Sequence, residues 1–230
     1  MGGWVARLQE EYTDTRTGDM LNRGFSGYNT RWALLQLPHL IQQTPTPPAL
    51  ATVFFGANDA AVPESRQHVP LEEFASNLEA ILALLRSHWP ACHMIVITPP
   101  PMDQQVWDTE RGGAGMRTLE RTRQYAAAAL AVAARAKCGS IDLFTRILSM
   151  ESWKDCLCDG LHLSSRGNAG ECATGFGCLL CRWWEWNAAD CLTDLMSRAV
   201  CRCTQQHRRA RAAPEASRLA HSLPTVVRHG

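Results

Sequence analysis

The sequence predicts an α/β domain built on a parallel sheet with helices over both faces. Residues 51–55 and 94–98 are short, continuous apolar runs with the β-prone composition of strands buried on both sides. Each is preceded or followed by a helix-length segment whose apolar residues recur about one turn apart, and strands that alternate with such helices need right-handed crossovers and so pair in parallel. The third observation is one of place. Polar, glycine-containing stretches at 24–27 and 56–59 stand at the carboxyl ends of strand candidates, where open α/β sheets bind ligands.

Taken in chain order, residues 2–12 carry Trp4, Val5 and Leu8 at helical spacing. Residues 19–23 form a short strand candidate that runs into Gly24-Phe25-Ser26-Gly27, where two glycines mark a turn. A helix over 28–43, with Trp32, Leu35, Leu37 and Leu40 on one side, ends at the prolines of 45–48. The strand at 51–55 stops at Gly56-Ala57-Asn58-Asp59. A helix over 71–88 follows, with Phe74, Leu78, Ile81, Leu82 and Leu85 as its stripe, and the strand at 94–98 is closed by Pro99, Pro100 and Pro101. Residues 117–137 read as an Ala-rich helix, 140–142 as a strand and 143–150 as a further helical piece.

Charge divides the chain unevenly. The 23 basic and 22 acidic residues nearly cancel, but residues 198–230 hold seven Arg and a single acid, Glu215, which leaves 16 basic and 21 acidic residues, a net of −5, for 1–197. With a net of +1 the chain as a whole has no electrostatic reason to seek nucleic acid or an anionic membrane. No run reaches the 18 or so apolar residues of a membrane span, and the first residues lack the basic-then-apolar order of a secretory signal, so a cytoplasmic protein with reduced thiols is expected. Eight of the ten Cys lie between Cys156 and Cys203 and none before Cys92, which is not the distribution of a disulfide scaffold.

Beyond about residue 168 neither the helical nor the strand period persists. A domain over 1–168 and a Cys-, Trp- and Arg-rich tail over 169–230, without a packed core, is the expected division. Within the tail, Cys178-Leu179-Leu180-Cys181 with its neighbouring Cys is open to a zinc reading or to one of unstructured thiols. Trp183, Trp184 and Trp186, followed by Arg208, Arg209 and Arg211, are open to a partner-binding reading or to that of a solvated run. No metal or cofactor is expected.

Three segments carry possible chemistry. In Asp159-Gly160-Leu161-His162 a turn at the glycine lets the carboxylate accept the Nδ1 proton and leaves Nε2 as a base; the competing reading is a surface Asp and a His beside a helix capped by Ser164 or Ser165. Asn58, at the end of a buried strand, is placed to donate to a developing oxyanion, or else Asn58 and Asp59 cap the next helix. Gly27 offers a backbone N–H to the same anion, or is only part of a tight turn.

Together and in this order the three segments resemble blocks II, III and V of the SGNH (GDSL-type) hydrolases. The string from Leu21 to Trp32, with Asp159-Gly160-Leu161-His162-Leu163-Ser164, is similar to the isoamyl acetate-hydrolysing esterase branch, and the resemblance spans about residues 3–168. It implies a flavodoxin-like α/β/α sandwich (the SGNH hydrolase fold) and metal-free hydrolysis of small carboxylic esters through a serine acyl-enzyme. In it His162 is general base and acid, Asp159 its orienter, and Gly27 and Asn58 the oxyanion donors. The same resemblance places a first strand ending in Gly-Asp-Ser ahead of Gly3-Trp4. The chain as written starts at Met1, Gly18-Asp19 is followed by Met20, and Ser26 lies in the oxyanion block. The expectation is therefore a first strand missing, no nucleophile in this chain, and a truncated, inactive or weakly active form. The alternative is a non-catalytic protein that binds ester-like ligands or a partner. Oligomeric state is not expressed in the sequence.

Overall fold

In the computed structural model, which describes residues 3–15, 19–112 and 115–169, three strands pair in parallel in the order β1 (Leu50–Phe54), β2 (His93–Ile97), β3 (Gly139–Ile141). Val53 stands beside Val96, and Ile97 beside Ile141. Alternation along the central strand explains how the sheet is covered. Met94 and Val96 point into a cluster with Phe74, Leu78, Leu82, Tyr125 and Val132, whereas Ile95 and Ile97, equally buried, point to the opposite face.

The helices are α1 (Trp4–Thr15), α2 (Thr30–Gln42), α3 (Leu71–His88), α4 (Gln104–Arg111), α5 (Leu119–Arg135), α6 (Leu143–Leu148) and α7 (Ser165–Ala169), with a 3-10 turn at Trp153–Cys156. The expected stripe on α3, from Phe74 to Leu85, is buried throughout. Glu72 and Glu73 in its first turn and Arg86 and His88 in its last complement the helix dipole. α2 starts where the Asn29 side chain accepts the N–H of Trp32, and α5 where Thr118 accepts that of Arg121. The crossovers β1–α3–β2 and β2–α5–β3 make up the α/β framework that the alternation of the sequence implies.

Three expectations are corrected. Residues 19–23 form no strand: a strand exists only through its ladder, no described segment pairs with this one, and Leu21 stays exposed. The helix at 117–137 begins instead at Leu119, so Arg117 stands before it, and the polar stretch after the prolines forms α4, capped by Asp103 and closed by left-handed Gly112. Of the described cysteines, Cys92, Cys138 and Cys158 are free thiols, as expected, but Cys156 is disulfide-bonded. Pairing of that kind is not visible in sequence spacing. The readings made of residues 170–230 fall outside the described residues. Among those described, no helix is long and apolar enough to cross a membrane, and no three His, Cys, Asp or Glu side chains are grouped to hold a metal ion.

Candidate active site

Asp159 and His162 occupy a loop whose ends are tied together. Leu157 and Leu163 form an antiparallel bridge, Cys158 N–H donates to His162 O at 2.9 Å, and Ser164 N–H donates to Cys156 O at 2.9 Å. Inside the loop, Asp159 Oδ1 accepts the backbone N–H groups of Leu161 (3.2 Å) and His162 (2.9 Å), which is the local turn chemistry of an Asp. Its other oxygen, Oδ2, accepts from His162 Nδ1 at 2.8 Å and from Arg111 Nη2 at 2.7 Å. Burial works against ionisation of this carboxyl, but the hydrogen bonds from His162 N–H, Arg111 and the His162 ring outweigh it and hold Asp159 well below the usual carboxylate range. The carboxylate is mostly covered and the imidazole mostly exposed. With Nδ1–H committed to Asp159, His162 Nε2 is left as a proton acceptor facing solvent. No described hydroxyl is hydrogen-bonded to it. The helix-capping alternative for this segment is also realised, beside the first reading and not instead of it: Ser164 Oγ accepts Gly167 N–H at the start of α7.

Gly160 sits at φ +82°, in the left-handed region, with its carbonyl accepting Asp103 N–H at 2.7 Å. A Cβ there would stand 2.5 Å from Asp103 O and 2.7 Å from Trp107 N. Gly160→Ala is therefore expected to force the loop away from α4. The measurable result is a lower thermal midpoint together with loss of the downfield proton resonance of the His162–Asp159 hydrogen bond. Retention of both would show that the contact with α4 yields easily.

The second half of the site comes from the loops before α2 and after β1. Gly27 has φ +78°, its carbonyl accepts Gln67 Nε2 at 2.8 Å, and its N–H has no partner among the described residues. Asn58 Nδ2 donates to Tyr28 O at 2.8 Å, and Oδ1 accepts from Arg117 Nη2 at 3.1 Å; one Nδ2 proton remains for another acceptor. The helix-cap alternative fails for this segment, because α3 starts at Pro70 without any side-chain cap. Asp59 is fully buried and holds the other loop instead. It accepts Thr30 N–H (2.9 Å), Thr30 Oγ1–H (2.5 Å) and Gly56 N–H (3.3 Å). Burial raises its pKa although these donors pull the other way.

Of the predicted residues, Asp159 and His162 are hydrogen-bonded to each other, whereas Gly27 and Asn58 are joined through Gln67 and Arg117, residues that sequence reasoning passed over. Arg117 reaches Asn58, and its guanidinium lies 5.4 Å from the Trp107 ring centre, which is 6.2 Å from that of His162. Arg111 covers the same Trp107 ring at 5.5 Å. None had a motif to mark it. Trp107 and Arg111 belong to the unforeseen α4, and the bonds of Arg117 run 50 to 60 residues along the chain. An imidazole oriented by a carboxylate, linked through Trp107 and Arg117 to a loop with an N–H donor to spare, is an arrangement suited to acyl transfer through a tetrahedral oxyanion.

Residues 1–169 match the family described as GDSL-like Lipase/Acylhydrolase. The chain is similar to a GDSL esterase/lipase of Arabidopsis thaliana, 41% identical over 180 residues that cover 73% of this chain and 74% of the relative. It is also similar to the isoamyl acetate-hydrolyzing esterase 1 homolog of Homo sapiens, 41% identical over 175 residues, covering 73% and 70%. Among solved structures it resembles a lipase/acylhydrolase from Enterococcus faecalis, with TM-score 0.62, 25% identity and coverage of 80% and 85%. An acetyl-xylooligosaccharide esterase of Geobacillus, at 18% identity and TM-score 0.56, shares the fold.

Proposed function

The chain belongs to the GDSL-like lipase/acylhydrolase family, and from that premise we propose that it is a carboxylic-ester hydrolase of small acyl esters whose chemistry centres on His162. The observation that carries the assignment is the 2.8 Å hydrogen bond from His162 Nδ1 to Asp159 within a closed loop, since it sets the tautomer that a general base requires. His162 Nε2 takes the proton of the attacking hydroxyl. Charge then develops on the carbonyl oxygen, which receives hydrogen bonds from Gly27 N–H and Asn58 Nδ2–H. Collapse of the tetrahedral intermediate expels the alcohol, which takes its proton from His162, and water releases the acid by the same route in reverse. The attacking oxygen is assigned to none of the described residues.

Removing one oxyanion donor tests the reading. Asn58→Ala should lower kcat for p-nitrophenyl acetate about 10²- to 10³-fold with little change in KM, as donors that act on the transition state do. A loss confined to KM would move Asn58 from the oxyanion site to substrate binding. The second reading is a non-catalytic ligand-binding protein, favoured by the lack of a described hydroxyl on His162 Nε2. It predicts saturable binding of ester analogues with no acid released.

A cytoplasmic location belongs to the same proposal. The free thiols Cys92, Cys138 and Cys158 support it, and disulfide-bonded Cys156 counts against it. The division into a hydrolase domain over 1–168 and a separate tail is likewise retained as a proposal, supported by the family match ending at residue 169.

A further inference from the structure

Arg117 is a buried cation that makes no ion pair with a carboxylate among the described residues. The residue is 6% exposed, and its guanidinium spends its donors on three neutral oxygens: Ala57 O, Asn58 Oδ1 at 3.1 Å and Gln67 Oε1 at 2.7 Å. Among the described residues no carboxylate lies within ion-pair distance of it. Asp59 acts on it through space while its own oxygens are taken by Thr30 and Gly56. Taking a charge out of water is costly unless an opposite charge offsets it. Burial accordingly pushes the guanidinium pKa down from its usual value.

The position of this charge is informative. Arg117 holds Asn58 by the amide oxygen, and the cation draws electron density from that oxygen, so the remaining Nδ2 proton becomes a stronger donor. Through Gln67 it also reaches the other loop. Gln67 Oε1 accepts from Arg117 while Gln67 Nε2 donates to Gly27 O, and the Gln67 carbonyl is itself held by Asn29 Nδ2 at 2.9 Å. A clamp of two side chains therefore sets the spacing between two donors that come from different loops.

We propose that Arg117, aided by Gln67, is the electrostatic positioning residue of the oxyanion site, and that an anion in that site completes the matching of its charge. The anion is the tetrahedral intermediate during reaction and a short-chain carboxylate, the product, at rest. The inference rests on the roles proposed above for Gly27 and Asn58, and it adds a substrate-side consequence: the site binds the acid half of a cleaved ester in preference to a neutral isostere of equal size.

Acetate and acetamide are suitable probes, because they differ in charge and hardly in shape, and binding needs no turnover. In two-dimensional amide spectra of the full chain, acetate should shift the Asn58 side-chain amide and the Gly27 amide saturably. It should bind at least ten times more tightly than acetamide. In Arg117→Gln that preference should fall to within about twofold of unity, whereas Arg117→Lys, which keeps the charge and loses the fork, should retain part of it. A purely structural arginine would weaken both probes alike and leave their ratio unchanged, and that result overturns the proposal. So does a wild-type chain in which acetate shows no preference or shifts only distant amides, a measurement that stands even if Arg117→Gln does not fold. Arg117-dependent acetate binding in a chain whose ester turnover ignores His162 would keep this inference and reject the hydrolase mechanism. Turnover that depends on His162 and Asn58, with an unchanged probe ratio in folded Arg117→Gln, would do the reverse.

Discussion

His162→Ala should abolish ester hydrolysis in any form of this chain that shows it. In a protease triad, loss of the histidine costs about 10⁶ in kcat, and only roughly 10³ to 10⁴ over water survives from binding and the oxyanion donors. Here the reason is visible in the loop. Nδ1 is tied to Asp159 at 2.8 Å, Nε2 is the single acceptor that the ring presents, and no neighbouring described side chain duplicates it. Turnover of p-nitrophenyl acetate that persists in folded His162→Ala would place the general base on another residue. The pH dependence has a defined sign. The pKa of Asp159 is depressed in the folded state, so its support for His162 is fully present above the ordinary carboxylate value of about 3.9 and fades only as pH falls through the depressed value. Activity lost between about pH 6 and 4 should therefore not follow protonation of Asp159. Carboxyl NMR that places the Asp159 transition inside that interval would contradict the geometry.

Phe74→Ala should cost about 3 to 5 kcal/mol of unfolding free energy. Phe74 is fully buried, its ring centre lies 5.1 Å from that of Tyr125, and it belongs to the cluster that joins α3 to the sheet through Val53 and Val96. Set against a total of about 5 to 15 kcal/mol for an ordinary domain, the loss would leave little margin. It should reach the site as well. The Phe74 ring approaches the position where a Cβ on Gly56 would lie, and Gly56 opens the turn that carries Asn58. Urea denaturation gives the cost directly, and a change below about 1 kcal/mol would mean that the cluster collapses to fill the cavity.

Features that depend on neighbours along the chain were legible. The apolar runs at 51–55 and 94–98 became β1 and β2, and the stripe from Phe74 to Leu85 became the buried face of α3, because side-chain period and burial are set within a few residues. Asp159 and His162 were legible for the same reason: they are three positions apart, and a glycine turn brings them within hydrogen-bond reach. Segments whose state depends on a partner were not. Residues 19–23 have strand composition and no strand, since a ladder needs a second chain segment that composition does not name. The helix α4 buries no residue and holds only Val106 and Trp107 as large apolar side chains, too few to mark a stripe.

The sequence by itself determined the parallel α/β framework and the pairing of Asp159 with His162, and it marked the stretches at 24–27 and 56–59 for which oxyanion donors are proposed. Only the tertiary structure decided that Arg117 joins Asn58 to Gln67, that Trp107 links this clamp to His162, and that Asp59 locks the start of α2 instead of capping α3. These contacts run between residues tens of positions apart, where no period or spacing records them. They were also selected by burial: once Arg117 and Asp59 leave water, each must find polar partners wherever the packed chain supplies them.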